Sequence, residues 1–86
     1  MLFLSYWELN ENLSPKDMAK IAAELLEKKL WPIKGVKKIG WYTSTDVPIW
    51  GVDIYDAENV EQVLKITAVW TNAKPGFFKV VRVSLQ

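Results

Sequence analysis

The strands legible in this chain carry large apolar side chains on both faces, yet only two segments have the periodicity of a helix. In Met1–Trp7 one alternate set reads Leu2, Leu4, Tyr6 and the other Phe3, Ser5, Trp7. Two amphipathic helices cover one face of a small sheet. The other face is left for a partner subunit or a ligand, so the alternation constrains assembly as well as fold. No substrate follows from it.

Met1–Trp7 is the first strand and Glu8–Leu13 a polar connection. Ser14-Pro15-Lys16-Asp17 opens a helix: Ser14 caps it, Pro15 fits the first helical position, and Asp17 lies in the first turn. Met18, Ile21, Ala22, Leu25, Leu26 and Leu30 form its apolar stripe, and Lys28 and Lys29 suit its negative C-terminal end. Pro32 and Gly35 then turn the chain. Val36–Thr43 and Trp50–Tyr55 are the second and third strands, paired as a hairpin through Ser44–Pro48. Asp56 caps a second helix from Ala57 to Thr71, with Val60, Val63, Leu64, Thr67 and Trp70 facing inwards. Lys74-Pro75-Gly76 is a turn and Phe77–Leu85 the last strand. The order β-α-β-β-α-β is the ferredoxin-like arrangement of the α+β class. It predicts one domain over residues 1–86, with a four-stranded antiparallel sheet and two helices on one face.

Composition narrows the chemistry. The 86 residues include no Cys and no His, so neither a disulfide nor an ordinary structural zinc site supports this small domain. Oligomerisation is the remaining common way to enlarge the core. Ser–His and Cys–His nucleophile pairs are impossible, no glycine-rich phosphate loop occurs, and the acidic residues are not spaced for an oxygen-ligated metal. Neither a metal nor a cofactor is implied. Eleven basic and ten acidic residues leave a formal net charge of +1, which gives no strong steering to nucleic acid or anionic membrane. The apolar start Met1–Leu4 is too short for a signal peptide and no run reaches transmembrane length, so the expected location is cytoplasmic.

In the third strand Trp50, Val52 and Ile54 are the more apolar set and are expected to face the helices, leaving Gly51, Asp53 and Tyr55 outside. In the last strand Phe77, Val81, Val83 and Leu85 fit the helix side. The open face then carries Tyr55, Asp53, Phe78, Val80 and Arg82, joined by Tyr42 or Trp41. Tyr and Trp bury large area around one polar atom, which suits interfaces and pockets. Two such faces packed together make a C2 homodimer.

The segments LSYWELNENLSPKDMA, KKIGWYTSTD and NAKPGFFKVVRV resemble a family of small prokaryotic proteins of unknown function, within the dimeric α/β-barrel group of the ferredoxin-like class. The phrases around Tyr6-Trp7-Glu8, Gly40-Trp41-Tyr42 and Lys74-Pro75-Gly76-Phe77 carry the resemblance, which runs over nearly the whole chain. It implies a dimeric α/β-barrel and brings no catalytic motif. The wider group holds cofactor-independent oxygenases, isomerases, haem enzymes and small-molecule-sensing domains, and fold kinship does not choose among them. The missing His weakens haem ligation and His-mediated proton transfer.

General acid–base work would fall to Glu8, Asp53 or Glu11. Asp53 interrupts an apolar strand and, on a covered face, must pair or take up a proton; Arg82 is its expected partner. Glu8 fits either a pocket mouth beside Tyr6 and Trp41 or a strand's exit into water. Tyr42 and Tyr55 are possible proton donors whose default role is packing. The ligand or interface set is Tyr6, Trp41, Tyr42, Tyr55, Phe78 and Arg82. Phe78, Tyr55 and Tyr42 beside Lys34, Lys37 and Lys38 mimic an RNA-binding sheet, but near-zero net charge makes the lysines a solvated strand edge first.

The leading reading is a homodimer that binds a small, partly apolar molecule between sheet and helices or at the seam. A cofactor-free isomerase or oxygenase using a carboxylate or tyrosine is the alternative, and a purely structural or regulatory interaction module is the third. Whether the protein is an enzyme stays open.

Overall fold

A computed structural model describes residues 1–46 and 48–86. Its elements run β1 (Leu2–Leu9), α1 (Pro15–Glu27), β2 (Lys37–Thr43), β3 (Trp50–Asp56), α2 (Val60–Ala73) and β4 (Phe78–Leu85). The order is the expected one, and local chemistry explains the boundaries. At the start of α1 the Asp17 N–H donates to Ser14 Oγ at 3.2 Å, while the Ser14 N–H donates back to the Asp17 carboxylate at 2.9 Å. The Ser14 backbone bond, then its side-chain bond, holds the Asp17 carboxyl below its ordinary range.

α1 ends at Glu27, short of Leu30, because Lys29 adopts a left-handed conformation with φ 57°. The Lys29 N–H donates to Leu26 O at 3.1 Å and the Leu30 N–H to Leu25 O at 2.9 Å, the bond pair of a Schellman termination. The cap of α2 is Asn59, whose side chain accepts from the Gln62 N–H at 3.0 Å, and not Asp56. Its inward residues are Val63 and Ile66, supported by half-buried Thr67 and Trp70. Val60 and Leu64, expected inside, are exposed.

All strand pairs are antiparallel, in the order β2-β3-β1-β4. The sheet is open, with β2 and β4 as unjoined edges. This overturns the expected α/β-barrel. Four strands with helices packed on one face do not curl to closure; barrels with a filled interior use about eight strands.

Strand register assigns the faces. Phe3, Ser5 and Trp7 pair with Tyr55, Asp53 and Gly51, so these six residues share one face, and Phe3, Trp7 and Tyr55 join the packed core. The expected facing of β3 is thus reversed. Gly51, Asp53 and Tyr55 are buried beneath the helices, while Trp50, Val52 and Ile54 lie outside with Leu4 and Tyr6. The reason is steric: Trp7 lies over Gly51, where an added Cβ would overlap the indole and stand 2.7 Å from the Tyr42 carbonyl oxygen. On β4, Val81 and Val83 pack inwards as expected, and Val80 and Arg82 are on the other side. Phe78, expected outside, packs on the core 6.3 Å from Trp7 between ring centroids, because the β1–β4 register shifts at Glu8/Leu9. A second irregularity, between Lys38 and Gly40, sets Trp41 beside Asp53 and Tyr42 beside Val52.

The core has two clusters. One gathers Trp7, Leu9, Ile21, Leu25 and Phe77; the other holds Phe3, Tyr55, Val63 and Ile66. Trp31 and Trp70 touch both, edge to face at 5.8 Å. Among the described residues no helix is long and apolar enough to cross a membrane.

Two substitutions test this account. Gly51→Ala drives a methyl into Trp7 and backbone, and should lower the unfolding free energy by about 2–3 kcal/mol in urea titrations. Lys29→Gly relieves the left-handed conformation and should raise it by roughly 1 kcal/mol.

Candidate functional site

Between the two core clusters lies a cavity of about 270 Å³. Its floor is the inner face of the central strands, with Ser5 and Asp53 as cross-strand neighbours. Ala19 and Ala22 of α1 and Thr67 of α2 form part of its walls. Small side chains face one another here and leave the space between sheet and helices unfilled. Large rings, including Trp7, Trp31, Trp70, Phe77 and Phe78, frame the space. Lys38 and Trp41 line it while remaining exposed, Trp41 at 56%, and so mark its solvent side. The Lys38 ammonium sits 4.5 Å from the centre of the Trp41 ring.

The chemistry centres on Asp53, only 9% exposed. Its Oδ2 accepts from the Tyr55 hydroxyl at 2.6 Å. Its Oδ1 is sealed from solvent and has no hydrogen-bond partner. The Trp7 indole N–H favours the charged form of Asp53 but does not reach hydrogen-bonding geometry with Oδ1. Burial pushes the carboxyl above its ordinary value, against the opposing pull of Tyr55, Trp7 and Lys38. Burial and the adjacent carboxylate likewise push Tyr55 far up, so its hydroxyl stays a donor. The cavity floor thus holds one half-satisfied carboxyl, its free oxygen out of reach of solvent.

The other sequence candidates scatter. Arg82 pairs with Tyr6 across β1–β4 and lies on the opposite face of the sheet from Asp53, so no ion pair joins them. Asp53 is therefore removed from any interface made by the outer face. Glu8 is also outside, accepting from the Tyr6 hydroxyl at 3.0 Å, and this bond raises the Tyr6 pKa. Glu11 pairs with Lys79 at 3.3 Å on an exposed loop. Tyr42, 67% exposed, is outside with Tyr6 and Trp50. Of the expected ligand or interface set, Trp41, Tyr55 and Phe78 line the cavity; Tyr6, Tyr42 and Arg82 do not. Sequence reasoning missed Ser5, Lys38, Ala19 and Ala22 as lining residues. The two alanines, about one turn apart on α1, were the available signal. Among the described residues no three His, Cys, Asp or Glu side chains gather as metal ligands.

No protein-family model matches the chain, and no curated protein matches it. The family suggested by the sequence phrases therefore has no match behind it. A crystal structure of protein Atu4242 from Agrobacterium tumefaciens, a structural-genomics target, is similar in fold. Its TM-score is 0.60 over 98% of this chain and 89% of that one, at 13% sequence identity. At that identity the likeness shows the fold alone.

The state of Asp53 sets a pH dependence. Its pKa is higher folded than unfolded, so the folded chain holds the proton longer. Stability from this group is greatest below the ordinary value of 3.8 and falls as pH climbs towards the raised folded value. Asp53→Asn should flatten that fall in urea midpoints taken from about pH 4 to pH 8. Tyr55→Phe removes the donor that favours the ionised form. It should extend the fall upwards and cost about 1.5–3 kcal/mol at neutral pH.

Proposed function

We propose that this protein binds a small, largely apolar molecule in the cavity between sheet and helices, and does so as a homodimer joined through the outer face of the sheet. The observation that carries the binding role is the enclosed aromatic space with a single half-satisfied carboxyl at its floor. An engineered apolar cavity of about 150 Å³ accepts benzene, so this larger space suits one or two fused rings. The same carboxyl supports a second reading, a cofactor-free proton transfer. Burial raises the pKa of Asp53, the direction a general base needs.

Self-association draws on the other face. Leu4, Tyr6, Trp50, Val52, Ile54 and Val80 make it apolar across the three strands β1, β3 and β4. Four strands of this length cover roughly 23 Å by 19 Å. That projection, about 440 Å², is roughly half of the 800 Å² per partner of a standard interface. The face also carries both signs, Glu8 and Arg82, so a two-fold axis can set Arg82 against Glu8 of a second copy.

Indole added to the labelled protein should shift the amide signals of Ala22, Asp53 and Thr67 in a saturable way. Ala22→Trp, which fills the cavity, should abolish those shifts while preserving helix content; unshifted amides in the wild type would reject the binding role. Sedimentation at micromolar concentration should give twice the chain mass, and Val52→Lys on the outer face should give a folded monomer that still binds indole.

A further inference from the structure

The formal net charge of +1 is unevenly spread along the chain. Residues 28–45 carry five lysines and no acidic residue. This stretch includes β2, an edge of the sheet that pairs only with β3. Every residue of β2 except Gly40 is exposed. The ladder shows which backbone groups are free. The Ser44 N–H donates to Trp50 O at 2.8 Å, and the Tyr42 carbonyl oxygen points at β3, 2.7 Å from where a Cβ on Gly51 would stand. Hydrogen-bonded and open pairs alternate along an antiparallel ladder. The backbone groups of Tyr42 therefore face β3, while those of Trp41 and Thr43 face away from it. An extended segment laid along this side can bond to both residues.

We propose that β2 takes up an acidic, extended segment of a partner protein as a fifth strand of the sheet. The proposal does not depend on the binding role above. Charge selects the partner. Lys34, Lys37 and Lys38 are exposed. Asp56, opposite Lys37, is bonded to the Met1 amino group, and Asp53, opposite Trp41, is buried beneath the helices. Lysines and a bulge on an edge strand discourage pairing with a like strand. Both devices occur here, since the irregularity at Lys38/Gly40 confines the regular edge to residues 40–43. That protection is selective. The other free edge, β4, carries Lys79 and Arg82 and no acidic residue, so a second copy brings like charge whichever edge it offers. A segment with two or three carboxylates gains attraction where a copy meets repulsion. Trp41 shares a face with Asp53 and Tyr42 shares the other with Val52. Two exposed rings thus stand on opposite faces of β2, each placed to cover an apolar side chain of an added strand. The partner is apolar where it passes Trp41 and Tyr42 and acidic where it passes Lys37 and Lys38.

The test uses blocked peptides: Thr-Val-Phe-Val-Thr-Glu-Asp-Glu, its reversal to offer the other strand direction, and a counterpart of each with Lys in place of the acids. One acidic peptide should bind about tenfold or more tighter than its lysine counterpart at low salt, and the preference should shrink at about 1 M salt. Bound, it should slow hydrogen exchange at the Trp41 and Thr43 amides more than at Tyr42, which already bonds to β3. Thr43→Pro removes an outward N–H without touching the β3 ladder and should abolish binding. Lys37→Glu with Lys38→Glu should reverse the charge preference. Equal binding of acidic and lysine peptides, or no saturable binding of any, would overturn the proposal. Binding that protects neither the Trp41 nor the Thr43 amide would overturn it by placing the peptide elsewhere. Protection of those amides that grows with protein concentration, without peptide, would overturn it in favour of a second copy. Tighter binding of oligouridylate, with shifts at Trp41 and Tyr42 but no amide protection, would overturn it in favour of a nucleic acid. These comparisons on the wild type decide the matter even if a variant does not fold.

Discussion

The placement of Trp7 over Gly51 fixes the rest of this structure. A tryptophan and a glycine facing each other across β1 and β3 fit only if the indole occupies the space a Cβ would take. Once Trp7 is inside, the two-residue period of the strand brings Phe3 and Ser5 inside with it. The partner strand must then present Gly51, Asp53 and Tyr55 to the helices. A slip of one residue would put Trp50 or Val52 opposite Trp7 on a face with no room for both. The carboxyl in the core is thus a consequence of the register that buries the largest side chain of β1.

That consequence has an energetic side. A buried oxygen without a partner costs on the order of 1–3 kcal/mol. Asp53 limits the cost with the Tyr55 bond and by binding a proton more readily than a solvated aspartate does. Exchanging both groups together for apolar ones of the same shape would be nearly neutral or stabilising, because it removes the orphaned oxygen along with its partner.

The sequence carried the elements better than their facing. The Ser14–Asp17 box, the Pro15 helix start and the turn at Lys74-Pro75-Gly76 are local, and local chemistry is readable from a single chain. The end of α1 was less so. Its left-handed residue is Lys29, and the glycine that usually marks such a stop is absent. The facing of β3 was misjudged because Trp50, Val52 and Ile54 outweigh Gly51, Asp53 and Tyr55 in apolar content. What decides the matter is complementarity with β1, which no property of β3 alone records. Phe78 escaped for a similar reason, since a shift in pairing at Glu8/Leu9 is invisible in alternation. The cavity was still harder to foresee. It arises where Ser5 of β1, Ala19 and Ala22 of α1 and Thr67 of α2 meet from three separate segments.

Setting the site in the core, between clusters that share Trp31 and Trp70, couples occupancy to stability. The cavity is lined from both clusters, so filling it would add contacts to both at once. A molecule that binds only the folded chain stabilises it in proportion to the logarithm of its concentration. If that molecule hydrogen-bonds the ionised carboxyl, it also favours release of the proton from Asp53, and by reciprocity a rise in pH favours the molecule. Such a molecule would thus be linked to proton and fold through one aspartate. The outer face carries none of the cavity's lining carboxyl chemistry.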